Sequence, residues 1–121
     1  MTLHPSEAAF LSALAVARDS WVTAAASAVS NPSSAETWSE VTVAWSRLAD
    51  RLNSPEDKEA FVAAVREVLS GLVHSSLVTV DGGSVLAETT LLTVQDDSGY
   101  VFKTFLHEAW PQFGSDNENE A

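Results

Sequence analysis

The chain contains no cysteine, which excludes disulfides and thiolate chemistry. It is also poor in basic residues: six Lys and Arg stand against 17 Asp and Glu, a net charge of −11. Nucleic-acid binding draws on clustered Lys and Arg to displace counterions from phosphate. No such cluster occurs, so nucleic acid is not an expected partner. Anionic membrane surfaces should repel the chain for the same reason. No apolar run approaches the roughly 18–20 residues of a bilayer span. The start, Met1-Thr2-Leu3-His4-Pro5-Ser6-Glu7, has no basic n-region and no apolar block behind it. Neither a transmembrane helix nor a signal peptide is expected, and a cytoplasmic protein fits best.

What is present is a chain of 121 residues, 45% apolar, with four Trp and five Phe to anchor a core. That length suits one domain. Residues 5–29 are Ala-rich, with Phe10, Leu14, Ala17, Trp21 and Ala28 near one helical face, and Asn31-Pro32-Ser33-Ser34 stops the helix. A second helix is expected from a Ser33 or Ser34 cap to about Asn53, carrying the stripe Trp38, Val41, Trp45, Leu48, Leu52. Ser54-Pro55-Glu56-Asp57 combines a serine cap, a proline at the first helical position and acids at the positive end. It opens a third helix over 55–74 with Phe61, Val65, Val68, Leu69 and Leu72 on its buried face.

Leu77 to Val80 then reads as a strand, Asp81-Gly82-Gly83-Ser84 as a turn, Leu91 to Gln95 as a second strand, Asp96-Asp97-Ser98-Gly99 as a hairpin turn and Tyr100 to Lys103 as a third strand. Thr104 to Trp110 suits a short closing helix that Pro111 ends. The expected fold is α+β: three N-terminal helices packed on a small antiparallel sheet of about three strands, with a short C-terminal helix. It forms a single domain over residues 1–113, and the acidic stretch 114–121 is expected to be disordered.

Candidate chemistry is sparse. His74 lies near Asp81 in sequence, and a histidine with a carboxylate partner suits general acid–base work; it equally suits the negative end of a helix. Ser75 and Ser76 do not make a triad by adjacency, and the Gly-x-Ser-x-Gly elbow is absent. Asp81-Gly82-Gly83-Ser84 could offer backbone amides to an anion, but it lacks the lysine of a phosphate-binding loop. His107-Glu108 would need a second histidine where Pro111 stands, so no metal site is expected, and Asp96-Asp97-Ser98-Gly99 lacks the order of a calcium loop. No cofactor motif is present. Trp110, beside Pro111 and Phe113, suits either a binding hot spot or a cap on the core.

The segment His74-Ser75-Ser76-Leu77-Val78-Thr79-Val80-Asp81-Gly82-Gly83-Ser84-Val85-Leu86-Ala87-Glu88, followed by Leu106-His107-Glu108, resembles a family of small uncharacterised bacterial proteins with a strand, an Asp-Gly-Gly turn, a further strand and a late Leu-His-Glu. The resemblance covers about a third of the chain and brings no catalytic residues. It implies a bacterial, stand-alone domain. Small acidic bacterial proteins of this size are often immunity- or antitoxin-like.

Residues 77–121 hold eight acids against the single base Lys103, whereas residues 1–76 hold nine acids against five bases. The expected function is therefore a non-enzymatic, immunity- or antitoxin-like domain that binds a basic protein partner through Asp81, Glu88, Asp96, Asp97, Glu108 and Trp110. The rival is a ligand-binding or enzymatic site built from His74, Asp81, Glu88 and His107 around one pocket. A third possibility is a homodimer through the stripe of the second helix.

Overall fold

The computed structural model describes residues 2–114. Among them the chain is helical, with no sheet: α1 spans Pro5–Ser30, a 3-10 turn Pro32–Ala35, α2 Thr42–Arg51, α3 Pro55–Val80, a second 3-10 turn Val85–Glu88, α4 Leu106–Ala109 and α5 Pro111–Gly114. The only strand pairing among the described residues is one antiparallel bridge between Gln95 and Val101. The expected α+β fold, with three helices covering an antiparallel sheet, is therefore corrected to a helical one. The expected acidic tail lies, beyond Gly114, outside the described residues.

Two local causes remove the sheet. The first is the end of α3. Leu77-Val78-Thr79-Val80, expected as a strand, is the last turn of a helix that began at the Ser54 cap, where Ser54 Oγ accepts from the Asp57 amide at 3.1 Å. Gly82 has φ +86°. Its amide donates to Thr79 O at 3.2 Å, and the Gly83 amide donates to Val78 O at 2.9 Å. That pair of bonds, with glycine in the left-handed region, is the Schellman closure of a helix. Asp81-Gly82-Gly83 is thus a helix stop and not a hairpin turn.

The second cause is Glu7. Asp96 to Gly99 does form the expected turn, and the Asp96 and Phe102 amides donate to Tyr100 O and Val94 O at 3.0 and 2.9 Å. The register of the Gln95–Val101 bridge would next pair Leu92 with Thr104. Instead the amides of Lys103 and Thr104 donate to Glu7 Oε2 at 2.9 and 3.0 Å. The Thr104 amide is the donor that Leu92 O would need, and a carboxylate from the first turn of α1 takes it, so the arms part.

The second helix also differs from expectation. The chain turns at Ala35, whose carbonyl accepts from both Trp38 and Ser39, and α2 starts only at Thr42. Trp38 and Val41 therefore fall outside the helix and are 39% and 59% exposed. The last helix ends at Ala109, ahead of Pro111 as expected, and Pro111 then opens the separate turn α5, where its missing amide costs nothing.

The chain divides into two compact units, one built from Met1–Val16 with Ser70–Ala121 and the other from Ala17–Leu69. The first unit is centred on buried Leu11, Leu77, Leu106, Ala109 and Trp110, with Phe10, Leu14 and Phe102 packed against them. In the second unit Val22, Ala25, Ala28, Val29 and Ala35 are buried. There Trp21, Trp38, Trp45 and Phe61 form a chain of edge-to-face rings with centroids 5.6, 5.8 and 6.3 Å apart. The expected buried face of α3 is largely open: Val68 and Leu72 are 70% and 63% exposed. By length and composition alone α3 reaches what a membrane span requires, contrary to expectation. It also carries Arg66, paired with Asp19 at 2.9 Å, beside Glu67.

Candidate functional site

The first unit holds the residues in question. Asp81 is fixed where α3 closes, and its side chain is only 6% exposed. Its Oδ2 accepts the backbone amide of His107 at 2.9 Å and lies 2.6 Å from His107 Nδ1. A carboxylate oxygen accepts, so Nδ1 supplies the proton and the neutral ring keeps its lone pair at Nε2. The same oxygen satisfies one of the amides left without a helical partner in the first turn of α4, acting as a remote N-cap. The His74 ring stands edge-on to that of His107, 5.8 Å between centroids.

Three of the four residues of the rival site thus converge. Glu88 does not: it ends an exposed 3-10 turn. Two hydroxyls of α3 near by are engaged. Ser76 Oγ donates to Leu72 O at 2.8 Å and Thr79 Oγ1 to Ser75 O at 3.0 Å, so both hydroxyls are turned onto their own helix. The geometry permits a proton to be held at His107. No group of three or more potential metal ligands occurs among the described residues.

Beside Asp81 the parting arms enclose a cavity of about 180 Å³, bounded by residues 92–94 on one side and 101–106 on the other. Its lining mixes apolar and polar side chains: Leu92, Val101 and Phe105, 48%, 38% and 56% exposed, stand with Asp81, Thr93, Lys103 and Thr104. No hydrogen bond reaches the backbone amides of Leu91, Leu92, Thr93 or Val94 among the described residues.

Two carboxylates hold this region in shape. Glu7 is 1% exposed and accepts from the amides of His4, Lys103 and Thr104 and from the Thr104 hydroxyl. Burial pushes its pKa up. The amides of Thr104, His4 and Lys103 and the Thr104 hydroxyl outweigh that and hold it at about 2. Asp96 accepts the Ser6 hydroxyl through Oδ2, and the Ser98 hydroxyl and the Ser98 and Tyr100 amides through Oδ1. The Ser6 and Ser98 hydroxyls, more than the amides, keep its carboxyl well below the usual range. Tyr100, stacked on His4 with 3.5 Å between centroids, has its phenol pushed up by burial and by the charge of Glu7.

Of the six residues expected to meet a partner, Glu88, Asp97 and Glu108 are exposed, Asp81 and Asp96 are occupied as described, and Trp110 is buried in the core at 4% exposure. Glu7 was missed. Its position suggested only an acid at a helix start, and its partners lie 96 and 97 residues away. Comparison with protein-family models, curated proteins and solved structures finds no significant match.

Proposed function

We propose that the protein is a small, cytoplasmic, non-enzymatic binding domain that holds a basic protein partner, in the manner of an immunity or antitoxin protein. The observation that carries this reading is how charge divides between the two units. The described part of the first unit holds Glu7, Asp81, Glu88, Asp96, Asp97 and Glu108 against the single base Lys103, and the sequence beyond it adds Asp116, Glu118 and Glu120. The second unit holds eight acids against five bases. A field of one sign on one unit speeds encounter with a partner of the opposite sign and disfavours acidic competitors. Exposed Leu91, Leu92 and Phe105 beside that charge supply apolar area for the bound state.

The test is retention from a bacterial lysate at 50 mM and 500 mM salt, comparing the wild type with a variant in which Glu88, Asp97 and Glu108 are replaced by their amides. The expected result is a discrete basic protein retained by the wild type at low salt and lost with the variant. Retention of nothing, or of acidic and basic proteins alike, overturns the reading.

The Asp81–His107 contact favours a second reading, acid–base chemistry at His107 with His74 beside it. It requires a ligand to reach Nε2. Titration of the His107 ring by NMR against a panel of small anions and carbonyl compounds tests it, and a ring that responds to none of them contradicts it.

A further inference from the structure

We infer that the parted hairpin arms are a docking site for one extended, basic segment of the partner, which adds to the edge formed by residues 91–94. The inference rests on the reading under Proposed function and specifies how the partner is held.

Three observations meet at this place. The first is vacancy in the ladder: register from the Gln95–Val101 bridge sets Leu92 opposite Thr104, yet Glu7 holds the Thr104 amide, so beyond the Val94–Phe102 bond Leu92 has lost its ladder partner. Unpaired backbone along a strand-like edge is a template for another chain, and strand addition satisfies it. The second is room: the cavity of about 180 Å³ between the arms accepts one medium apolar side chain from an added strand, with Leu92, Val94, Val101 and Phe102 as its apolar walls. Alternation along a strand then sends the neighbouring residues outward. The third is charge. Glu88 precedes the first arm, Asp97 sits at the turn and Glu108 follows the second arm, all three exposed. Against these and the lining carboxylate Asp81 stands one base, Lys103, so the local field favours Lys or Arg at the outward positions of the incoming segment. The occupant is a segment that alternates an aliphatic residue with a basic one.

The probe is a capped heptapeptide, Lys-Val-Lys-Val-Lys-Val-Lys, titrated into the uniformly 15N-labelled full chain at low salt. Its controls are the same peptide N-methylated at every amide, which keeps the charge and removes the donors, and the Glu-Val counterpart. The expected result is amide exchange slowed at least tenfold at Leu92, whose amide faces the vacated arm, at least tenfold weaker binding of the N-methylated peptide, and none of the acidic one. Leu92→Lys, at a half-exposed position that leaves the core intact, is expected to weaken the parent peptide by a similar factor. If both basic peptides bind equally and exchange at Leu92 is unchanged, strand addition is overturned while the attraction for basic partners stands. If neither basic peptide binds, the docking site is overturned, and lysate retention decides the broader reading by itself.

Discussion

Replacing Glu7 by Gln removes the charge from the carboxylate that organises the first unit while keeping its size. The Glu7 pKa falls from 4.5 to about 2, which corresponds to about 3 kcal/mol of stability at 1.36 kcal/mol per pKa unit. Because the folded value lies below the unfolded one, that stability is fully present above pH 4.5 and is lost as pH falls through 2. Glu7→Gln retains one acceptor oxygen for the four donors now shared by two. It is therefore expected to cost about 2–3 kcal/mol at pH 7, where hydrogen bonds to a charged group contribute most. At pH 2 the wild-type side chain is half protonated, and the gap is expected to shrink to about 1 kcal/mol or less. Urea denaturation followed by tryptophan emission measures both, and subtracting variant from wild type at each pH cancels the titration of the other acids. A gap below about 0.5 kcal/mol at pH 7, or one that persists unchanged at pH 2, refutes the assignment of this carboxylate as the hub.

Gly82→Ala places a Cβ at φ +86°, 3.1 Å from Leu91 Cδ2, and is expected to lower stability by about 1–2 kcal/mol in the same denaturation assay. Asp81→Asn should cost about 1–2 kcal/mol through loss of the charged cap on α4, whereas His107→Ala, which keeps the backbone amide on Asp81, should cost less; the reverse order would place the pair's importance in the ring. Trp45 Nε1 is buried without a hydrogen-bond partner, so Trp45→Phe removes an unsatisfied donor. Its cost is expected to stay below about 1 kcal/mol, well short of the 2–5 kcal/mol expected for Leu77→Ala in the core of the first unit, with denaturation midpoints as the readout.

The parts of the fold legible in the sequence are those set by neighbours along the chain. Pro5 and Asn31-Pro32 bracket α1, Ser54-Pro55-Glu56-Asp57 opens α3, and Asp96 to Gly99 makes its turn, because caps, prolines and positive-φ glycines act within a few residues. The end of α3 was misread for a related reason. Leu77-Val78-Thr79-Val80 has strand composition, but a helix already propagating continues through β-branched residues at small cost, and a following glycine closes a helix as readily as a hairpin. Composition could not decide between them. The missing sheet was not legible at all, since it depends on Glu7 reaching the amides of Lys103 and Thr104, a contact no local pattern announces. The site was partly legible: Asp81, His107 and His74 share a neighbourhood, while Glu88 stands apart.

The hairpin is cut short by a carboxylate, and one arm is left open. Residue-by-residue amide exchange on the free protein tests that most directly. Lys103 and Thr104 should be protected at pH 7 and exchange faster in Glu7→Gln, while Leu91, Leu92 and Thr93 should exchange freely in both proteins. Protection of Leu92 in the wild type, matching that of Phe102, would mean that the hairpin continues and that there is no open edge to bind anything.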